Sequence, residues 1–134
     1  MDSEKLNEEQ ILQRMLDAED VPEKTYPLKR MGIPVKLRGL KGQKVFALRE
    51  ECTFRSEKRG RIQERLDDEA FQCKLIAAAT VSPKWDHPKL LEKYQASSAE
   101  GVLKRMLLAG ELAALGDAVL DLSGFGIELE EVKN

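Results

Sequence analysis

The stretch YPLKRMGIPVKLRGLKGQKVF, Tyr26 to Phe46, changes its hydrophobic period partway along. Before Gly39 the apolar residues alternate: Tyr26 and Leu28 ahead of Gly32, then Ile33, Val35 and Leu37 interleaved with Pro34, Lys36 and Arg38. A period of two with a glycine at the reversal predicts a two-stranded hairpin over about 25–38. Pro27 and Pro34 have no amide hydrogen, so the strands pair only where those nitrogens face away from a partner. Beyond Gly39 the step lengthens, and Val45, Leu48 and Cys52 recur at helical spacing, with Phe46 and Arg49 beside them. A helix over about 41–52 follows, without a good N-cap to mark its start. A lone hairpin is marginal in water and must lie against helices. The predicted class is α+β, mainly α: a helical domain with a small N-terminal β-hairpin.

The 134 residues suffice for one core without metal or disulfide staples. With 42% apolar, 34% charged and 5% aromatic residues, that core must be built from Leu, Ile, Val and Ala, which favours helices packed through aliphatic stripes. No apolar run has the length of a membrane span, and MDSEKLNEEQ lacks the basic start and apolar centre of a signal peptide, so a cytoplasmic protein is expected. Cys52 and Cys73 form no CxxC pair and read as buried small hydrophobes.

The net charge of -2 hides an acidic, basic, acidic order. The charges up to Glu23 are mostly acidic, Lys24 to Arg65 carry most of the positive charge, and from Glu111 onward the sign is negative again. Such an order attracts nucleic acid at its centre or lets copies of one protein dock head to tail.

Asn7 before Glu8-Glu9-Gln10 predicts a capped helix start, with Ile11, Leu12, Met15 and Leu16 as its stripe and an end before Pro22. FRSEKRGRIQER, around Gly60, reads as an exposed, mobile connection. Asp67 caps a core helix over about 67–80. Pro88 opens a short helix over about 88–94, and Ser97 with Glu100 suggests a capping box for a helix over about 98–108, closed by Ala109-Gly110. Leu108, Leu112, Leu115, Val119 and Leu122 then form one apolar seam on a helix over about 110–123, with Gly124 as its αL stop. The expected organisation is an acidic N-terminal helix (1–21), a single domain (22–125) and an acidic tail (126–134).

Catalysis needs a positioned acid, base or nucleophile, and the one histidine, His87, reads as a helix cap or surface residue beside Pro88. The acidic runs have capping explanations and no metal-loop spacing, and GLKGQK lacks the order of a phosphate loop. No catalytic, cofactor-binding or metal residue is assigned, and no enzyme is expected. Lys29, Arg30, Lys36, Arg38, Lys41 and Lys44 could neutralise phosphates. The acidic pI of about 5.6, the few aromatics and the alternation, which makes these charges a solvated hairpin face, disfavour nucleic acid. The ordinary explanation of that face is solubility and edge protection; the ordinary explanation of the seam is core packing. Gly116 and its neighbouring alanines also permit close approach by a helix of this chain or of a partner.

Three stretches, TYPLKRMGIPVKLRGLKGQKVFALREECT, LIAAATVSPKWDHPKLLEKYQASSAE and LLAGELAALGDAVLDLSGF, in this order from roughly Pro22 to Phe125, resemble the XkdN-like tail assembly chaperones of phages and defective prophages. The resemblance implies a non-catalytic protein without cofactors that binds and solubilises the tape measure protein of a phage tail until tail tube subunits replace it. Such a protein acts in the host cytoplasm, off the membrane, and is not expected in the mature virion. In several tail systems a longer, frameshifted form recruits the tube protein, and Val132-Lys133-Asn134 is encodable with a slippery run. On this reading the basic hairpin faces acidic protein, either the client or another copy in a homo-oligomer. The candidate partner-binding residues are Lys29, Arg30, Lys36 and Arg38 on the hairpin and Leu108, Leu112, Leu115 and Val119 on the seam. The alternative is a small helical nucleic-acid-binding or regulatory protein of a mobile element.

Overall fold

The computed structural model describes residues 5–131, and Val132 to Asn134, where the slippery run would be encoded, lie outside them. The chain runs α1 (Glu8–Leu16), β1 (Glu23–Leu28), β2 (Ile33–Arg38), α2 (Gly42–Glu51), β3 (Thr53–Lys58), β4 (Arg61–Leu66), α3 (Asp68–Ala79), β5 (Thr80–Ser82), α4 (Pro88–Tyr94), α5 (Ala99–Met106) and α6 (Ala109–Leu122). The class is α+β, with helices predominating and the β1-β2 hairpin near the N-terminus.

The hairpin acquires a third strand: β5 pairs antiparallel with β2, giving the order β1-β2-β5. Pro27 lies opposite Pro34. Residues opposite each other in an antiparallel pair exchange two hydrogen bonds or none, so two facing prolines occupy a non-bonded position and cost the ladder nothing. The inner sheet face carries Leu28, Val35 and Leu37, with Val35 and Leu37 fully buried. They join Val45 and Leu48 of α2, Leu75, Ile76 and Ala79 of α3, Leu103 of α5, and Leu115, Val119 and Leu122 of α6 in one core. Its polar atoms are satisfied locally: Trp85 Nε1 donates to Thr80 Oγ1 at 2.8 Å, and that hydroxyl donates to the Ile76 carbonyl at 2.6 Å.

Two backbone features lock the sheet to α6. A Cβ on Gly39 would land on the Leu122 carbonyl, so only glycine lets the chain leaving β2 pass this close. Next to it, the Leu40 amide donates to Ser123 Oγ at 2.9 Å. The end of α6 is a Schellman motif: Phe125 N donates to Leu120 O at 3.0 Å and Gly124 N to Asp121 O at 3.1 Å. Gly124 holds the required left-handed turn at φ +93.

Several caps fall where the sequence places them. Asn7 and Gln10 form a reciprocal capping box, Asp67 Oδ1 accepts from Ala70 N at 3.1 Å, and His87 Nδ1 accepts from Lys89 N at 3.1 Å.

Others are corrected. The cap of α5 is Ser98, which accepts from Gly101 N, while Glu100 lies 4.0 Å from Lys74 instead of closing a box with Ser97. That helix stops at Met106, and Ala109-Gly110 opens α6 rather than closing α5. Leu108 is consequently the exposed N-cap of α6 and not a seam residue.

The expected loop at FRSEKRGRIQER is a regular hairpin. Arg59 and Gly60 both have positive φ, the signature of a two-residue type I′ turn. The α1 stripe is exposed: Ile11, Leu12, Met15 and Leu16 are 43–64% exposed, and no residue of α1 is buried.

Candidate partner-binding surfaces

The four hairpin cations have different fates. Arg30, in the β1-β2 turn, donates from Nε and Nη2 to the two oxygens of Glu111 at 3.0 and 2.7 Å, and from Nη2 to the Met106 carbonyl at 3.1 Å. This fork ties the turn to the α5-α6 junction. It raises the guanidinium pKa and holds the Glu111 carboxyl below its usual range, first through the Arg30 hydrogen bond and then through the Leu108 amide. Lys36 pairs with Glu23 at 3.3 Å on the outer sheet face. Lys29 and Arg38 are exposed. Arg38 borders a groove with Glu19, Lys41 and Lys44.

The seam residues divide by burial. Leu115 and Val119 are 3% and 0% exposed, inside the core. Gly116 faces Gln72 of α3, whose Cγ would lie 3.0 Å from an added Cβ, so the small residue serves helix packing within this chain. Leu112 is half-buried and lines a shallow groove with Cys73, Lys104 and Leu107, and Leu108 stands exposed at the same corner.

Two surfaces have no counterpart among the candidates from sequence. The first is the β3-β4 ribbon, which extends from the ends of α2 and α3, with Asp67 N donating to Cys52 O at 2.8 Å across its base. Opposite residues share a face, and the register sets Phe54 with Arg65, Ser56 with Gln63 and Lys58 with Arg61. The strand residues of that face are cationic and include a 62% exposed Phe54, while at its base Phe54 and Arg65 line a groove bordered by Asp67, Asp68 and Glu69. The reverse face holds the Arg55–Glu64 pair at 3.0 Å, together with Glu57 and Ile62. The available signal was the two-residue turn Arg59-Gly60 between runs of strand length.

The second is an apolar groove of about 190 Å³ between α2 and the end of α6, lined by Leu40, Gly42, Val45, Phe46 and Ser123 to Phe125. Phe46 and Phe125 are 69% and 53% exposed on its walls. Phe46 was legible only as a residue beside the Val45-Leu48 stripe.

Burial pushes both thiols up, and His87 is engaged as a cap. Among the described residues no cluster of His, Cys, Asp and Glu could hold a metal, and no helix is long and apolar enough to cross a membrane.

Comparison with curated protein sequences yields no match. Among solved structures, the crystal structure of the protein YqbN superposes with a TM-score of 0.63 over 79% of this chain and 87% of that one, at 22% identity, a likeness of fold. The sequence itself matches the family described as Phage XkdN-like tail assembly chaperone protein, TAC, over residues 12–134, taking in the sheet, the ribbon and all the core helices. The chain belongs to the XkdN-like tail assembly chaperones of phages.

Proposed function

We propose that this tail assembly chaperone holds the tape measure protein in the host cytoplasm and gives it up to tail tube subunits as the tube grows. The observation that carries the reading is the β3-β4 ribbon, which places Phe54, Lys58, Arg61 and Arg65 on one solvent-facing side away from the core. A two-stranded ribbon is marginal by itself, and a cationic face with one aromatic anchor suits an acidic, amphipathic helical client. Its contacts are mostly rim charges with few apolar groups, a composition that binds reversibly and yields to a competing polymer. Arg38 and Lys29 extend the same sign of charge onto the hairpin.

The nucleic-acid reading draws on the same cationic face. It is weakened by the carboxylates that engage Arg30 and Lys36 and by the scarcity of aromatics for stacking.

Co-expression with the neighbouring tape measure gene tests the proposal. The expected result is a tape measure protein that is soluble and co-purifies only when this chain is present, and that is lost with Phe54→Ser combined with Arg61→Glu and Arg65→Glu. A client equally soluble without the chain would falsify it. Tight, salt-sensitive binding of random duplex DNA, with no effect on the client, would instead establish the second reading.

A further inference from the structure

We propose that the groove where β2 gives way to α2 binds an acidic segment of a partner protein, and that the chain's own linker ahead of β1 occupies it as an internal competitor until the partner arrives. The site lies apart from the β3-β4 ribbon and does not rest on the ribbon's role. Arg38, Lys41 and Lys44 line a space of about 580 Å³, with Leu40, Ala47 and Ala78 as apolar parts of its wall. That is within the range of ligand clefts, about 300–1,000 Å³. Glu19 and Val21 of the linker line the same space, so an acidic residue beside an apolar one already shows what the groove accepts.

Three cations meet one carboxylate in this lining, and the neighbouring carboxylates are engaged elsewhere. Glu23, opposite Arg38 in the register, pairs with Lys36 at 3.3 Å. On α2 itself, Glu50 pairs with Arg55 at 2.6 Å and Glu51 with Lys74 at 3.4 Å. Among the described residues Arg38, Lys41 and Lys44 have no ion pair, with Glu19 or with any other carboxylate. No side chain caps the start of α2, so the positive end of the helix dipole adds to the field there. Glu19 lines the groove without closing an ion pair, which leaves all three charges open to a segment whose carboxylates are better spaced.

The linker is held at one end only. Gly39 N donates to Pro22 O at 2.8 Å, and Glu23 begins β1. Ahead of Pro22, the amides of Asp17, Ala18 and Glu19 donate to Gln13, Met15 and Asp17, all within α1 and its end. Glu19 is exposed and Val21 half-buried. Lifting the linker from the groove therefore breaks no backbone hydrogen bond to the sheet or to α2 among the described residues, and it uncovers little besides Val21. A tethered competitor weakens an incoming segment by the fraction of time that it fills the site. Segments with several carboxylates displace it, and those with one do not.

The test uses the full chain, isotope-labelled for NMR, and an end-capped peptide copying residues 15–22, which carries three carboxylates. The peptide should bind at about 1 mM. It should shift the amides of Arg38, Lys41 and Lys44 together with those of Glu19 to Val21, and added salt should weaken it. Glu19→Gln with Asp20→Asn should tighten binding at least about threefold by emptying the groove, whereas Glu8→Gln with Glu9→Gln, the same change of net charge, should not. Lys41→Glu with Lys44→Glu should weaken it at least about tenfold. Carboxylates suit a helix start, so this variant keeps its fold, and Arg38→Gln replaces it if circular dichroism shows otherwise. Arg61→Glu with Arg65→Glu, an equal charge change on the ribbon, should leave binding unchanged. Any of four results overturns the proposal: no shift at about 10 mM peptide, groove signals that move while those of Glu19 to Val21 stay in place, equal tightening by both neutralised pairs, or a ribbon variant that loses binding as fully as the groove variant. Random duplex DNA that moves the same signals at lower concentration than the peptide would overturn it too, by assigning the groove to nucleic acid.

Discussion

Arg30 and Glu111, 81 residues apart in sequence, close a two-point ion pair that fastens the turn of the first hairpin to the first turn of α6. The same carboxylate accepts from the Leu108 amide at 2.8 Å, so one side chain both caps the helix and receives the fork. The sheet and the last helix are thus joined at this end by charge and at the other by the Gly39-Leu122 approach.

A pH dependence follows from this pair. The folded-state pKa of Glu111 is depressed, chiefly by Arg30. Its contribution to stability is therefore fully present above the unfolded value of about 4.3 and is lost as pH falls through the lower folded value. Glu111→Gln should lower the urea midpoint near neutrality, and its difference from wild type should close as acid is added below about pH 4. A constant difference down to the acid limit would show that the charge contributes nothing.

Leu115 sits in the core at 3% exposure. Leu115→Ala should cost about 2 to 5 kcal/mol in denaturant unfolding, through lost burial and a residual cavity. A variant that unfolds like wild type yet fails to capture the tape measure protein would mark the seam as an interface.

Gly39 has no room for a side chain, because the obstacle is the Leu122 backbone and not a mobile side-chain end. Gly39→Ala should destabilise by about 1 to 3 kcal/mol, the range for forced overpacking. An unchanged unfolding midpoint would mean that sheet and helix separate freely at this point.

Charge reversal of Lys36 and Arg38 should leave stability within about 1 kcal/mol of wild type, since the Lys36–Glu23 pair is exposed on both sides. Binding to acidic protein partners should weaken at low salt and converge with wild type near about 1 M, where screening confines charge to a few ångström. Equal loss at all salt concentrations would assign the effect to packing.

The β3-β4 ribbon contributes nothing to the buried core. Replacing residues 54–65 by a Gly-Ser pair should preserve helicity and shift unfolding by no more than about 1 kcal/mol, because the Asp67–Cys52 closure remains. Client capture should be lost; retained capture would remove the ribbon from the binding surface.

What the sequence determined by itself is local and one-sided. The period change at Gly39 marks the passage from sheet to helix because burial of one face imposes a period of two on Val35 and Leu37 and a longer step on Val45 and Leu48. Asn7, Asp67, His87 and Gly124 announce helix ends because a cap is made within a few residues of chain. The family could be recognised for a related reason: the collinear order of several stretches needs no coordinates.

Tertiary structure alone decided the rest. The ribbon escaped reading because neither of its faces is buried, so no apolar alternation marks it as strand. Leu12 and Leu115 look alike on a helical wheel, yet one is 52% exposed and the other lies in the core. A stripe records that a face is apolar, and only the packing of distant elements supplies or withholds its cover. Arg30 and Lys29 are neighbours with the same charge, and only the fold brings Glu111 to one of them. Charge partners far apart in sequence are set by how sheet and helix meet, which is why the candidate surfaces divide as they do.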